Sequence, residues 1–123
     1  MLHAYMCVQI NRDTGLWYSV EYSSFSVGPE ADKYRLSVSG FSGDEGDALA
    51  APVHPARIAN GMKFSTPDQD NDDKPVHCAK YNGWWYTWCS RSLLNRKAKA
   101  IWNADTDAFL KNVVFARMLV KLD

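Results

Sequence analysis

The sequence predicts an α+β domain: a mostly antiparallel sheet with short helices and a long irregular loop region suited to binding calcium or a ligand. Three observations lead there. Apolar Tyr34, Leu36 and Val38 alternate with Arg35, Ser37 and Ser39, the two-residue period of a half-buried strand. Asn11–Gly15 (NRDTG) is a turn signal between two strand-like runs, which makes a hairpin. Phe64–Asn95, FSTPDQDNDDKPVHCAKYNGWWYTWCSRSLLN, holds little that sustains a regular helix or a long strand.

Taken in order, Met6–Ile10 is the first strand and Leu16–Tyr22, rich in Trp, Tyr and Val, the second. Cys7 in the first strand reads as a buried free thiol acting as a small hydrophobe; the sharper reading is a bond to a segment outside this chain. Phe25–Val27 extends the sheet until Gly28 and Pro29 interrupt it. Gly40–Gly46 (GFSGDEG) reads as a loop, and Asp47–Ala51 as one helical turn with Asp47 at its N-cap. Ala51–Gly61 contains two prolines and reads as surface loop; nothing near its His54 completes a ligand set. Beyond Asn95, Arg96–Lys99 (RKAK) is a solvated basic patch. Asp105 or Thr106 caps a short helix through Asn112. Val113–Leu122, VVFARMLVKL, fits a closing strand or, lacking any breaker, a continued helix.

Length and charge exclude several classes. The 123 residues make one domain with a modest core. Lys plus Arg and Asp plus Glu each number 14, so the formal net charge is zero, and no basic stripe marks a nucleic-acid surface. No apolar run reaches the length of a membrane span. The opening MLHAYMCVQI has no basic region followed by a long apolar core, so it does not read as a convincing signal peptide. The chain carries no Ser/His/Asp arrangement, phosphate-cradling glycine loop or metal-hydrolase motif, which argues against an enzyme.

Chemistry concentrates in Phe64–Asn95. Asp68, Asp70, Asp72 and Asp73 crowd its front. Closely spaced carboxylates and backbone carbonyls suit a hard cation such as calcium. The EF-hand template fails: counted from Asp68, its glycine position holds Asp73 and its bidentate glutamate position Ala79. The run is thus a calcium loop of another kind or a solvated acidic turn. Cys78 and Cys89 flank the aromatics Tyr81, Trp84, Trp85, Tyr86 and Trp88. Their separation is wide for a zinc knuckle, and only His77 stands beside them. A disulfide is the simplest reading; it would stabilise the fold by roughly 3 kcal/mol on the chain-entropy model and implies an oxidising compartment.

Together, FSTPDQDND, CA, NGWWYTWC and SLLN resemble the signature of the fibrinogen C-terminal, or fibrinogen-related, domain of ficolins, tachylectins, tenascins, angiopoietins and fibrinogen. The run Tyr22–Leu49, YSSFSVGPEADKYRLSVSGFSGDEGDAL, matches the same family's preceding segment. The resemblance covers most of Gln9–Asn95 and is faint beyond. It divides the chain into a sheet-containing part, 1–63, a calcium and ligand-binding loop region, 64–95, and a divergent part, 96–123. Family domains have a further N-terminal subdomain, so the chain is expected to be a fragment, a partial gene model or a truncated member.

The resemblance also implies a site. Calcium would be held by the side chains of Asp70 and Asp72 and the carbonyls of Lys74 and Val76, with Asp68 outside the ligand set. Fixing that loop would support a pocket for an N-acetyl group of a sugar, with Tyr81 as one wall and Trp88 and Ser90 flanking Cys89, the second cysteine of the Cys78–Cys89 disulfide. The family's cis peptide would fall at Trp88–Cys89. Three departures bear on the pocket: Ser90 stands where the family commonly has His, Arg96 replaces the glycine after Leu94-Asn95, and the downstream tyrosines have no clear counterpart. Trp84 and Trp85 are expected to pack in the core under the loop. The implied function is a secreted, non-enzymatic, calcium-dependent, lectin-like binder of acetylated glycans in innate recognition. The alternatives are an adhesion, matrix or receptor-binding module with a protein partner, or a truncated member without a complete pocket. A homo-oligomer is a further expectation for the full-length protein.

Overall fold

The computed structural model describes residues 4–12, 15–44, 46–50, 58–72, 82–86, 92–94, 101–102 and 113–122. Its frame is a four-stranded antiparallel sheet of β1 (Ala4–Arg12), β2 (Trp17–Val27), β3 (Leu36–Gly43) and β8 (Val113–Leu122), in the order β3-β2-β1-β8. Between β3 and β8 in sequence, the described residues form four two-residue strands: β4 (Phe64–Ser65), β5 (Trp84–Trp85), β6 (Ser92–Leu93) and β7 (Ile101–Trp102). They pair as β4-β5 and β6-β7.

Alternation sets the core face. Ala4, Met6, Val8 and Ile10 of β1 are buried, while Tyr5, Cys7, Gln9 and Asn11 face the other way and are half-buried. Tyr22 and Val20 on β2 and Leu36 and Val38 on β3 continue the buried face. Leu49, Ala59, Trp84, Trp85, Tyr86 and Trp102 cover it in one cluster. The two adjacent tryptophans are core, as expected, with their rings 5.1 Å apart at 65°.

Several expectations change. The first strand is longer than Met6–Ile10, because Asn11 and Arg12 also pair with β8, Arg12 closing the turn at the same time. Arg12 is buried and donates from Nη2 to the Trp102 carbonyl at 3.0 Å. The second strand runs unbroken through the serines to Val27. The third continues through Gly40 to Gly43, across the expected loop. The glycines serve close strand approach: at Gly43 (φ 146°) an added Cβ would lie 2.4 Å from the Ser19 carbonyl oxygen and 2.8 Å from Val20 Cα.

The helical part of the expected α+β class contracts. Among the described residues the one helix is a 3-10 turn, Glu30–Asp32. The segment after Asp47 is a turn, yet Asp47 does cap it, with Oδ1 accepting the Ala50 N–H at 2.9 Å. The helix expected before Asn112 lies outside the described residues. Ala59, placed in a surface loop by its prolines, is fully buried, and its N–H and that of Asn60 both reach the Leu49 carbonyl. Of the two readings of Val113–Leu122, the strand holds: β1 has a second edge to pair, and β8 pairs it over nearly its whole length. Cys7 is free, as expected, but half-buried on the face away from the core rather than enclosed. Among the described residues no helix is long and apolar enough to cross a membrane.

Candidate ligand-binding loop

The acidic run leaves the core through the β4–β5 pair, in which Phe64 lies opposite Trp85 and Ser65 opposite Trp84. Three contacts hold this exit. The Phe64 N–H donates to the Lys33 carbonyl at 2.8 Å. Trp85 Nε1 donates to the Tyr34 carbonyl at 2.9 Å. The Phe64 and Trp85 rings meet edge to face, with centroids 5.2 Å apart. Both carbonyl acceptors belong to consecutive residues in the left-handed region, Lys33 (φ 55°) and Tyr34 (φ 56°). Non-glycine residues hold that conformation where surrounding structure enforces it. Gly83, before the two tryptophans, sits where a Cβ would come within 3.0 Å of the Phe64 ring.

Beyond Ser65 the chain turns sharply. Thr66 and Gln69 exchange backbone hydrogen bonds at 3.0 Å. The Thr66 hydroxyl donates to Asp68 Oδ1 at 2.7 Å and holds that carboxyl below its ordinary pKa. Asn71 then ties the turn to the core. Its N–H reaches the fully buried Ser65 hydroxyl at 2.9 Å, and its Nδ2 donates to the Phe64 carbonyl at 2.8 Å and to Gln69 Oε1 at 3.0 Å. Asp70 Oδ1 accepts the Asp72 N–H at 3.1 Å, an Asx-type closure that sets the two carboxylates on one turn. Asp70 is exposed and Asp72 half-buried.

This geometry bears on calcium. Asp70 and Asp72 are hard oxygen donors two residues apart on a turn fixed from below, which suits part of a calcium ligand set. Among the described residues no group of three or more His, Cys, Asp or Glu side chains is gathered. The described part of the loop thus offers a carboxylate pair. Lys74, Val76, Tyr81, Trp88, Ser90, Cys78 and Cys89, and with them the expected cis bond, lie outside the described residues. Two residues here went unsuspected in the sequence: Asn71, hidden among aspartates as another polar turn residue, and Ser65, whose burial no local pattern announces.

Sheet, aromatic support and acidic turn together describe a fibrinogen-type globe. The family model for the C-terminal globular domain of fibrinogen beta and gamma chains matches residues 2–115, and the chain belongs to that family. Among its relatives, Ryncolin-4 from Cerberus rynchops is 46% identical over 77 residues, covering 60% of this chain and 20% of that protein. The fibrinogen gamma chain of Homo sapiens is 40% identical over 98 residues, covering 72% of this chain and 22% of that protein. The fibrinogen-like globe domain of human ANGPTL6 superposes with a TM-score of 0.80 at 30% identity, over 97% of this chain and 56% of that one. The chain therefore spans about a fifth of the length of these curated relatives and little more than half of the solved globe domain.

Proposed function

We propose that the chain is part of a secreted recognition module whose acidic turn binds one calcium ion and whose following loop presents a lectin-like pocket for acetylated glycans. Asp70 and Asp72 supply carboxylates and Lys74 and Val76 carbonyls to the ion. Tyr81, Trp88 and Ser90 line the pocket, and a Cys78–Cys89 disulfide closes the loop. The observation that carries this reading is the Asn71-anchored turn, which holds Asp70 and Asp72 together while Asp68 is engaged by Thr66. Family members are recognition modules rather than enzymes, and none of these residues is assigned a catalytic role. A protein-binding adhesion or receptor module is the second reading. It is favoured by Ser90 and Arg96, which depart from the family pattern around the acetyl pocket, and by relatives named angiopoietin-related and fibrinogen-like.

Thermal unfolding in calcium and in EDTA tests the ion site. Affinity on the order of 0.1–1 mM is expected of an extracellular site. Saturation near 100 times the dissociation constant would raise stability by about 2.7 kcal/mol. Asp70→Ala and Asp72→Ala should each remove most of that gain, and Asp68→Ala and Asp73→Ala little of it. No calcium-dependent gain in the wild type, or a larger loss for Asp68→Ala than for Asp70→Ala and Asp72→Ala, defeats the assignment. A glycan array with and without EDTA separates the two readings, since the protein-binding module should leave every acetylated glycan unbound.

A further inference from the structure

The chain contains two Asn-Gly pairs, Asn60-Gly61 and Asn82-Gly83. Asparagine is a thermolabile residue, and a following glycine has no Cβ to obstruct attack of its own nitrogen on the asparagine side chain. The first pair lies in a strap that ties down the start of β3. The Gly61 N–H donates to the Leu36 carbonyl at 2.8 Å, and the Leu36 N–H donates back to the Met62 carbonyl at 3.0 Å. Arg35 Nη1 donates to the Gly61 carbonyl at 2.7 Å. The Asn60 N–H donates to the Leu49 carbonyl at 3.0 Å, and Asn60 Oδ1 accepts the Val38 N–H at 2.8 Å. Gly61 holds φ 85°, and an added Cβ would meet nothing within 4 Å, so backbone conformation rather than packing calls for glycine there. The two partners of a ring closure are thus adjacent but oppositely engaged. The electrophile, Asn60 Cγ, has a backbone donor on the oxygen that would take up negative charge. The nucleophile, the Gly61 nitrogen, has its proton committed to Leu36.

We propose that Asn60-Gly61 is a latent isoaspartate site, silent while the strap is closed and reactive once the Gly61–Leu36 bond opens. Hydroxide removes the freed Gly61 proton, and the nitrogen attacks Asn60 Cγ, a step favoured because both groups belong to one short stretch of chain. The new C–N bond closes a five-membered succinimide, and the side-chain nitrogen takes a proton from water and leaves as ammonia. Water then adds to either ring carbonyl and breaks that carbonyl's bond to the Gly61 nitrogen. Opening at Cγ gives aspartate. Opening at the backbone carbonyl gives isoaspartate, in which the main chain runs through Cβ and Cγ. The two products differ in effect. Aspartate keeps an oxygen for the Val38 N–H. Isoaspartate lengthens the main chain by a methylene, so the Gly61–Leu36 and Leu36–Met62 bonds lose their register. Those bonds begin β3, and just beyond Met62 the Phe64 N–H donates to the Lys33 carbonyl at the root of the acidic turn. Modification therefore loosens the base of that turn without touching its carboxylates.

Incubation of the intact chain in heavy-oxygen water, in buffer and in urea, tests this, with peptide mapping at position 60 and an isoaspartyl methyltransferase as the detecting reagent. Label and isoaspartate should enter at position 60 at least roughly tenfold more slowly in buffer than in urea. Deamidation and amide hydrogen exchange both need hydroxide to reach the same freed Gly61 N–H, so their slowing in the folded chain should agree within about threefold. Arg35→Ala removes the bond to the Gly61 carbonyl and should speed the reaction in buffer roughly fivefold while leaving the rate in urea unchanged. Asn60→Asp should keep the unfolding midpoint nearer to wild type than the purified isoaspartyl chain does. Equal rates in buffer and urea, deamidation faster than Gly61 exchange allows, an Arg35→Ala chain that reacts no faster than wild type, or an isoaspartyl chain as stable as wild type would each overturn the proposal.

Discussion

Asn71→Asp is the substitution that most directly tests how the acidic turn is held. It keeps the shape of the side chain and replaces an amide donor by a carboxylate oxygen. The lost donor serves the Phe64 carbonyl at 2.8 Å and Gln69 Oε1 at 3.0 Å. The new oxygen would face both acceptors without a proton to give. Loss of the part-buried bond, with the Phe64 carbonyl left unpaired, costs about 1–2 kcal/mol. The added charge, beside Asp70 and Asp72 and near Asp68, brings the total to about 2–3 kcal/mol at neutral pH. Asn71→Ala removes the donor without the charge and should cost about 1–1.5 kcal/mol. The pH dependence has a definite sign. The introduced carboxyl would be more readily protonated folded than unfolded, because its neutral form restores a donor. Its penalty should therefore be full above the ordinary carboxylate range and shrink as the pH falls through it. Urea unfolding of the three proteins between pH 7 and pH 3.5, without calcium, measures each quantity. Equal stability of Asn71→Asp and wild type at pH 7, or a penalty that grows on acidification, would refute the anchoring role of Asn71.

The other expectations are more local. Gly43→Ala should destabilise by more than about 2 kcal/mol in denaturant unfolding, because the new Cβ meets β2 backbone that cannot swing aside. Tyr22→Phe removes the hydroxyl that donates to Asp47 Oδ1, which also caps the Ala50 N–H; a loss of about 1–2 kcal/mol is expected by the same assay. Burial first, and then the nearby Glu21 charge, push the Cys7 thiol up, so its alkylation at pH 8 should be slower than that of a free cysteine peptide and accelerate on unfolding. Non-reducing peptide mapping should recover Cys78 joined to Cys89 and Cys7 unmodified; Cys7 in either bond would overturn that pairing.

What could be read in the sequence followed local periodicity and local chemistry. The alternation of Leu36 and Val38 placed β3, although Tyr34, counted with them, lies before the strand and is exposed; Asp47 announced its own cap. Trp84 and Trp85 were legible as core because two adjacent indoles are too large to leave in solvent. Reading failed where a distant neighbour decides the outcome. Gly40 and Gly43 resemble loop punctuation until β2 is seen to crowd them. Arg12 looks like a turn residue until the Trp102 carbonyl is found at its guanidinium. Val113–Leu122 was ambiguous because its apolar residues fit either period, and the open side of β1 decided for a strand. In the acidic run the aspartates drew attention by charge, whereas the residue that fastens them is the neutral Asn71. The family motifs supply an expectation that spacing alone could not, calcium at Asp70 and Asp72.

The sheet's two inner seams differ in kind. β1 and β2 are joined by a short turn, with Asn11 facing Trp17. β1 and β8 meet across a far greater stretch of chain, and Arg117 donates to Gln9 from 108 positions away. Closing the first seam orders few residues; closing the second must gather most of the polypeptide before any of its bonds form. The β1–β2–β3 meander is thus expected to assemble early, with β8 arriving last and limiting the folding rate. Until β8 docks, the Tyr5–Cys7–Gln9 edge is open, and that interval is when the chain is most exposed to misassociation.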